Sequence, residues 1–153
     1  MTPRAMLVGG SAAAAGLIVT SGLTLADALD GAEHDQAAGW FATHAAVLVA
    51  AVLSAGIAAW LVSLRGDLRA RRPLRVAIAV SLLTYPLFAL LFAVGVLVAH
   101  VRDGSFTAEY ALQELIWIPL SSLAAMAYAF VLTILPAFAA QYLIARLARR
   151  AVA

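Results

Sequence analysis

Four long stretches without a charged side chain alternate along this chain with short segments that hold nearly all of its charge. The apolar runs cover about residues 6–26, 40–64, 76–99 and 115–144. None contains Asp, Glu, Lys or Arg, and His44 is the one group within them that titrates near neutral pH. A hydrocarbon layer of about 30 Å takes about 20 helical residues at about 1.5 Å each, so every run is long enough to cross. Helix is the state that satisfies the backbone there, because a lone strand leaves its N–H and C=O groups unpaired in lipid. A barrel needs many segments of about ten residues with alternating polarity, and continuous apolar runs do not supply them. The pattern predicts an all-α membrane protein: one transmembrane domain spanning 1–153, built as a four-helix bundle.

The fourth run carries an extra expectation. From Thr107 to Arg146 the only breakers are Pro119 and Pro136. A straight helix of about 40 residues reaches about 60 Å, twice the hydrocarbon thickness. A short helix along the outer interface is therefore expected first, capped by Ser105 or Thr107, with Glu109 in its first turn. Pro119 then marks the bend into the true crossing.

Charge assigns the sides. Arg4 precedes the first run, and Arg65, Arg69, Arg71, Arg72 and Arg75 lie between the second and third with Asp67. Arg146, Arg149 and Arg150 follow the fourth. With four crossings these segments share one side, and they hold nine of the ten arginines. The other side has Arg102 with Asp27, Asp30, Glu33, Asp35, Asp103, Glu109 and Glu114. The positive-inside rule makes the arginine side cytoplasmic, with both termini in and the chain multi-pass in the plasma membrane. A cleaved signal peptide is the rival for the first run, since Ala26-Asp27-Ala28 resembles a small-x-small site. Its 21 apolar residues exceed the usual h-region of about 7–15, which favours a retained helix.

Composition agrees and narrows the chemistry. With 65% of residues hydrophobic and 12% charged, the chain lacks the polar coat of a water-soluble domain, about a quarter charged. No cysteine and no lysine is present, which excludes disulfides, thiolate metal sites, thiol catalysis and Schiff-base chemistry, a retinal linkage included. The arginines sit beside apolar spans, so lipid headgroups rather than nucleic acid are the expected anionic partner. Arg65, Arg69, Arg71, Arg72 and Arg75 form the densest set for anionic-lipid contact, at roughly 1 kcal/mol per arginine near a charged leaflet.

Several groups could carry function. His44, His100 and Glu114 fall in a shallow outer layer beneath Trp40 and Trp117, with His34 in the nearby loop. His44 and His100 could bracket a metal ion, ligate haem, or form a proton site with Glu114, although no known ligand spacing links them. An interfacial polar residue is the plainer reading of each. Pro86 and Pro136 fall at similar depth in the arginine-side half, with Ser81, Thr84, Tyr85, Thr133 and Gln141 near them. These define a polar vestibule between the third and fourth helices, or ordinary kinks whose freed carbonyls are repaired by hydroxyls. Ser81, Tyr85, Phe88 and Phe92 make a stripe at helical spacing, as do Tyr128, Val131, Leu135, Phe138 and Tyr142. Such stripes line clefts for apolar ligands such as lipid or quinone, but more often they pack. Gly10/Ala14, Ala12/Gly16 and Ser11/Ala15 are small-x-x-x-small pairs for close helix approach, within the bundle or at a seam with another subunit.

No nucleotide loop, dinucleotide fingerprint, nucleophile elbow or paired intramembrane carboxylate is present in the sequence. The expected function is non-catalytic: an accessory subunit, or a self-assembling component of a membrane complex. Its partners are then membrane lipid and other membrane subunits or copies of itself. A small oligomeric transporter or channel is the first alternative, and a haem- or metal-binding redox subunit using His44 and His100 is the second.

Overall fold

The structure is a computed structural model describing residues 2–30, 37–65, 72–104 and 111–151, with side chains at 2–28, 44–65, 72–104, 112–113 and 115–151. Four helices account for nearly all of it: α1 Pro3–Asp30, α2 Ala37–Leu64, α3 Pro73–Arg102 and α4 Ala111–Arg150. Each contains a segment long and apolar enough to cross a membrane, and no strand occurs among the described residues. The chain is a multi-pass membrane protein.

The helices close into a ring. Among the described residues α1 packs on α2 and α4, α3 packs on α2 and α4, and the backbones of the diagonal pairs stay further apart. Neighbours are antiparallel. Arg4 Nη2 donates to Ser63 O across 3.3 Å at one end of the α1/α2 pair, while Asp27 meets His44 at the other. Leu7 of α1 shares a cluster with Ala145 of α4, and Pro73 of α3 lies beside Arg146, Arg149 and Arg150 of α4. One end of the ring thus gathers Arg4, Arg65, Arg72, Arg75, Arg146, Arg149 and Arg150 with the first turn of α1 and the last turn of α4. The opposite end holds Asp27, His44, His100, Arg102 and Asp103.

Small side chains let the helices approach. Ala55, Ala58, Ala59 and Ala77 are almost wholly buried, as expected where lipid gives no hydrophobic drive and packing must hold helices together. Toward the arginine end Leu7, Ala58, Ala59, Val62, Val76, Val80 and Ala145 form one cluster. Toward the other end Ala50, Ala51 and Phe88 form a second, flanked by Val47, Phe92 and Met126. The tightest approach is at Gly10, where a Cβ would stand 3.0 Å from Ile144 Cγ2; at Gly16 it would stand 3.3 Å from Val52 Cγ2. The outside is greasy: Leu17, Leu135, Val131 and Leu112 are each at least 70% exposed.

Local signals set the helix ends. Pro73 opens α3 at its first turn, where its missing N–H is no loss, after Arg72 in extended conformation (φ −67°, ψ 131°). At the other end the Asp103 N–H donates to Ala99 O at 2.9 Å, and Gly104 turns the chain out at φ 71°. That left-handed conformation favours glycine.

The expected outer helix is not a separate element. Ala111–Ile118 forms the first two turns of α4, which runs unbroken through Pro119 and Pro136 for 40 residues. Ser105, Thr107 and Glu109 lie outside the described residues. Pro119 lacks the N–H that would bond Leu115 O, and the helix continues regardless; Ser121 and Ser122 just beyond it donate to a different carbonyl, Ile118 O, at 3.0 and 2.7 Å. Membrane helices tolerate proline where nearby hydroxyls and backbone adjust.

Candidate functional site

The outer-end groups come from three helices. His44 begins the apolar part of α2, opposite the last turn of α1, and its Nε2 lies 3.6 Å from Asp27 Oδ1. Both side chains are largely buried, at 12% and 20% exposure. The pair joins α1 to α2 through the Nε2 edge of the imidazole. His100 sits in the last turn of α3, where a basic group suits the helix dipole, with its Nδ1 buried. The side chain of Glu114 lies outside the described residues, as does His34. Among the described residues no three His, Asp or Glu side chains come together as metal ligands.

At mid-bundle α3 and α4 meet through hydroxyls. The Tyr85 hydroxyl and Thr133 Oγ1 are 3.1 Å apart, and the Tyr85 ring meets Phe130 edge-on at 4.9 Å. Tyr85 and Thr133 therefore do sit together across the α3/α4 contact. The expected repair of the proline carbonyls does not occur. Pro86 and Pro136 free the carbonyls of Leu82 and Leu132, four residues back. Thr84 instead donates to Val80 O at 2.8 Å and Thr133 to Ala129 O at 2.7 Å, because a threonine hydroxyl reaches the carbonyl one turn before itself. Both prolines are exposed, on the outside of the bundle. Ser81 Oγ is buried and has no hydrogen-bond partner among the described residues. Of the expected stripe, Tyr85 and Phe88 are buried and Phe88 stacks on Phe92 at 5.8 Å; on α4, Tyr128, Val131 and Leu135 point away from the bundle.

Two arrangements were not evident in the sequence. Ser11 Oγ donates to Gln141 Oε1 at 2.7 Å, joining α1 to α4 with both residues buried. Gln141 is the one side-chain amide inside the α4 crossing, and a polar group in hydrocarbon demands a partner; that demand was the available signal. The second is an open cavity of about 460 Å³ at the arginine end, lined by Pro73, Tyr142, Arg146, Arg149 and Arg150. Its signal was the i, i+4, i+7, i+8 spacing of the α4 residues, which puts Tyr142 and the three arginines on one face. Of the loop arginines, Arg65, Arg72 and Arg75 are exposed at this same end, whereas Arg69 and Arg71 lie outside the described residues.

Small residues of α1 divide between two faces. Gly10 meets α4, Gly16 meets α2 and Ser11 is wholly buried. Ala5, Gly9 and Ala13, at spacing four, are exposed. No family model, no curated protein and no solved structure matches the chain.

Proposed function

We propose that the chain is a non-catalytic bundle of the plasma membrane that assembles through the outward face of α1, with copies of itself or with other subunits. The observation that carries this reading is the division of α1. Gly10, Ser11 and Gly16 close the bundle's own ring, while Ala5, Gly9 and Ala13 leave a second low-profile face bare to lipid. A face without bulk gives lipid tails little to pack on and lets another helix approach closely. The interior supports the same reading. Between the two ends no Asp, Glu, Arg or His occurs among the described residues, whereas transport and proton transfer normally place such a group on the pathway.

Orientation and depth complete the proposal. The arginine end, with both termini, faces the cytoplasm. Arg65, Arg69, Arg71, Arg72 and Arg75 contact the anionic leaflet there. Ala111–Ile118 extends α4 into the outer interface with Trp117, 56% exposed, at headgroup level. α1 is retained as a helix of the mature protein.

The test is the mass of the full-length protein after gentle solubilisation. More than one bundle per particle, or a stoichiometric membrane partner, is expected, and Gly9→Ile with Ala13→Ile should release a single bundle. A wild-type monomer without a partner would overturn the reading.

A further inference from the structure

We infer that the cavity between the start of α3 and the end of α4 is a binding site for the phosphate of an anionic phospholipid from the arginine-side leaflet. The inference does not depend on whether bundles associate. It rests on three observations about one place.

The lining carries charge of one sign. Arg146, Arg149 and Arg150 are exposed, and no carboxylate pairs with any of them among the described residues. Arginine forks match the oxygens of a phosphate two at a time and remain charged at every physiological pH. Leaflet attraction alone needs only scattered charge. Here three arginines line one open cavity, with Tyr142 as a further lining residue.

The volume suits a headgroup. About 460 Å³ falls within the range of small-ligand sites, about 300–1,000 Å³. Pro73 on the opposite wall opens α3, whose first turn carries no acidic residue and no side-chain cap. The N-terminal end of α3 and the C-terminal end of α4 lie at this cavity with opposite partial charges, so the arginines set its sign.

The surroundings select a lipid over a soluble phosphate. Next to the cavity on each helix, apolar side chains leave the bundle: Leu74 and Ile78 on α3, Leu143 and Leu147 on α4, each between 43% and 56% exposed. A diacyl lipid whose phosphate enters among the arginines lays its chains along these groups. Glycerol phosphate gains nothing from them.

Full-length protein is reconstituted in nanodiscs of phosphatidylcholine with a minor fraction of phosphatidylglycerol, and lipid retained after purification is counted by native mass spectrometry. Arg149→Gln with Arg150→Gln removes two charges from the cavity, and Arg69→Gln with Arg71→Gln removes two from the loop. Retention of phosphatidylglycerol over phosphatidylcholine is expected to fall about tenfold in the cavity variant and less than twofold in the loop variant. The helical circular dichroism of both should match wild type. Arg149→Lys with Arg150→Lys keeps the charges that fix topology and should retain an intermediate amount. Equal losses in cavity and loop variants would reduce the effect to net charge and overturn the site. Displacement of the lipid by millimolar glycerol phosphate would overturn the assignment to lipid.

Discussion

Replacing Ser11 by alanine should weaken the bundle more than replacing its larger partner Gln141 by leucine. At 2.7 Å the bond is at the usual O–H···O length, and exposures of 0% and 5% keep out any group that could substitute. In Ser11→Ala the Gln141 carbonyl loses its donor. Its own helix has none to offer, because interior N–H groups already bond along the backbone. Stranding a buried acceptor costs about 1–3 kcal/mol in water-soluble proteins, while interhelical bonds in membranes average about 0.6 and reach about 1.7. About 1.5 kcal/mol is expected here, roughly tenfold in the unfolding equilibrium. In Gln141→Leu the serine hydroxyl can turn to its own helix, as Ser54 does to Ala51 O and Ser63 to Trp60 O. That loss should stay near 0.5 kcal/mol, and the double variant should resemble Gln141→Leu alone, a coupling of about 1.5 kcal/mol. Equilibrium unfolding in mixed micelles, followed by circular dichroism, reads all four corners of the cycle. Equal single losses that add within about 0.3 kcal/mol would refute the reasoning.

Other substitutions separate packing from open surface. Gly10→Val should destabilise by about 1–3 kcal/mol, because even a Cβ stands 3.0 Å from Ile144 and further atoms overpack the α1/α4 contact. Gly22→Ala, with nothing within 4 Å of the added Cβ, should leave the midpoint unchanged or raise it. Ser81→Ala should stabilise by up to about 1 kcal/mol, since it removes a buried hydroxyl without a partner; a loss of stability would show that the hydroxyl is bonded in the membrane. The intact mass of protein purified from membranes should include residues 1–28, because cleavage after Ala28 would remove Ser11 and leave Gln141 unbonded.

The four crossings were readable because charge is excluded from hydrocarbon, so uninterrupted runs such as 76–99 mark themselves. Tyr85 and Thr133 could be placed at one level by counting inward from the charged edges of antiparallel helices. Which side of each helix faces its neighbours was not readable in the same way. In water the apolar stripe identifies the buried face, but in lipid the outer face is as apolar as the inner one. Ser11 therefore stood among other small residues of α1 with nothing to single it out, and Leu135 looked as suited to a cleft as Phe88. Pro119 misled because a proline costs a helix one hydrogen bond without having to end it, and α4 runs on past it. Asp27 counted only as loop charge, yet a short connection brings the end of α1 to the start of α2, where His44 waits.

The absence of cysteine makes membrane orientation directly measurable. Single substitutions Asp35→Cys, Arg69→Cys, Asp103→Cys and Ala153→Cys are each labelled in intact spheroplasts with a membrane-impermeant maleimide. Asp35→Cys and Asp103→Cys should react from outside, and Arg69→Cys and Ala153→Cys only after the membrane is opened. Outside labelling of Arg69→Cys, or opposite sides for Arg69→Cys and Ala153→Cys, would contradict a four-crossing bundle with its arginine end in the cytoplasm.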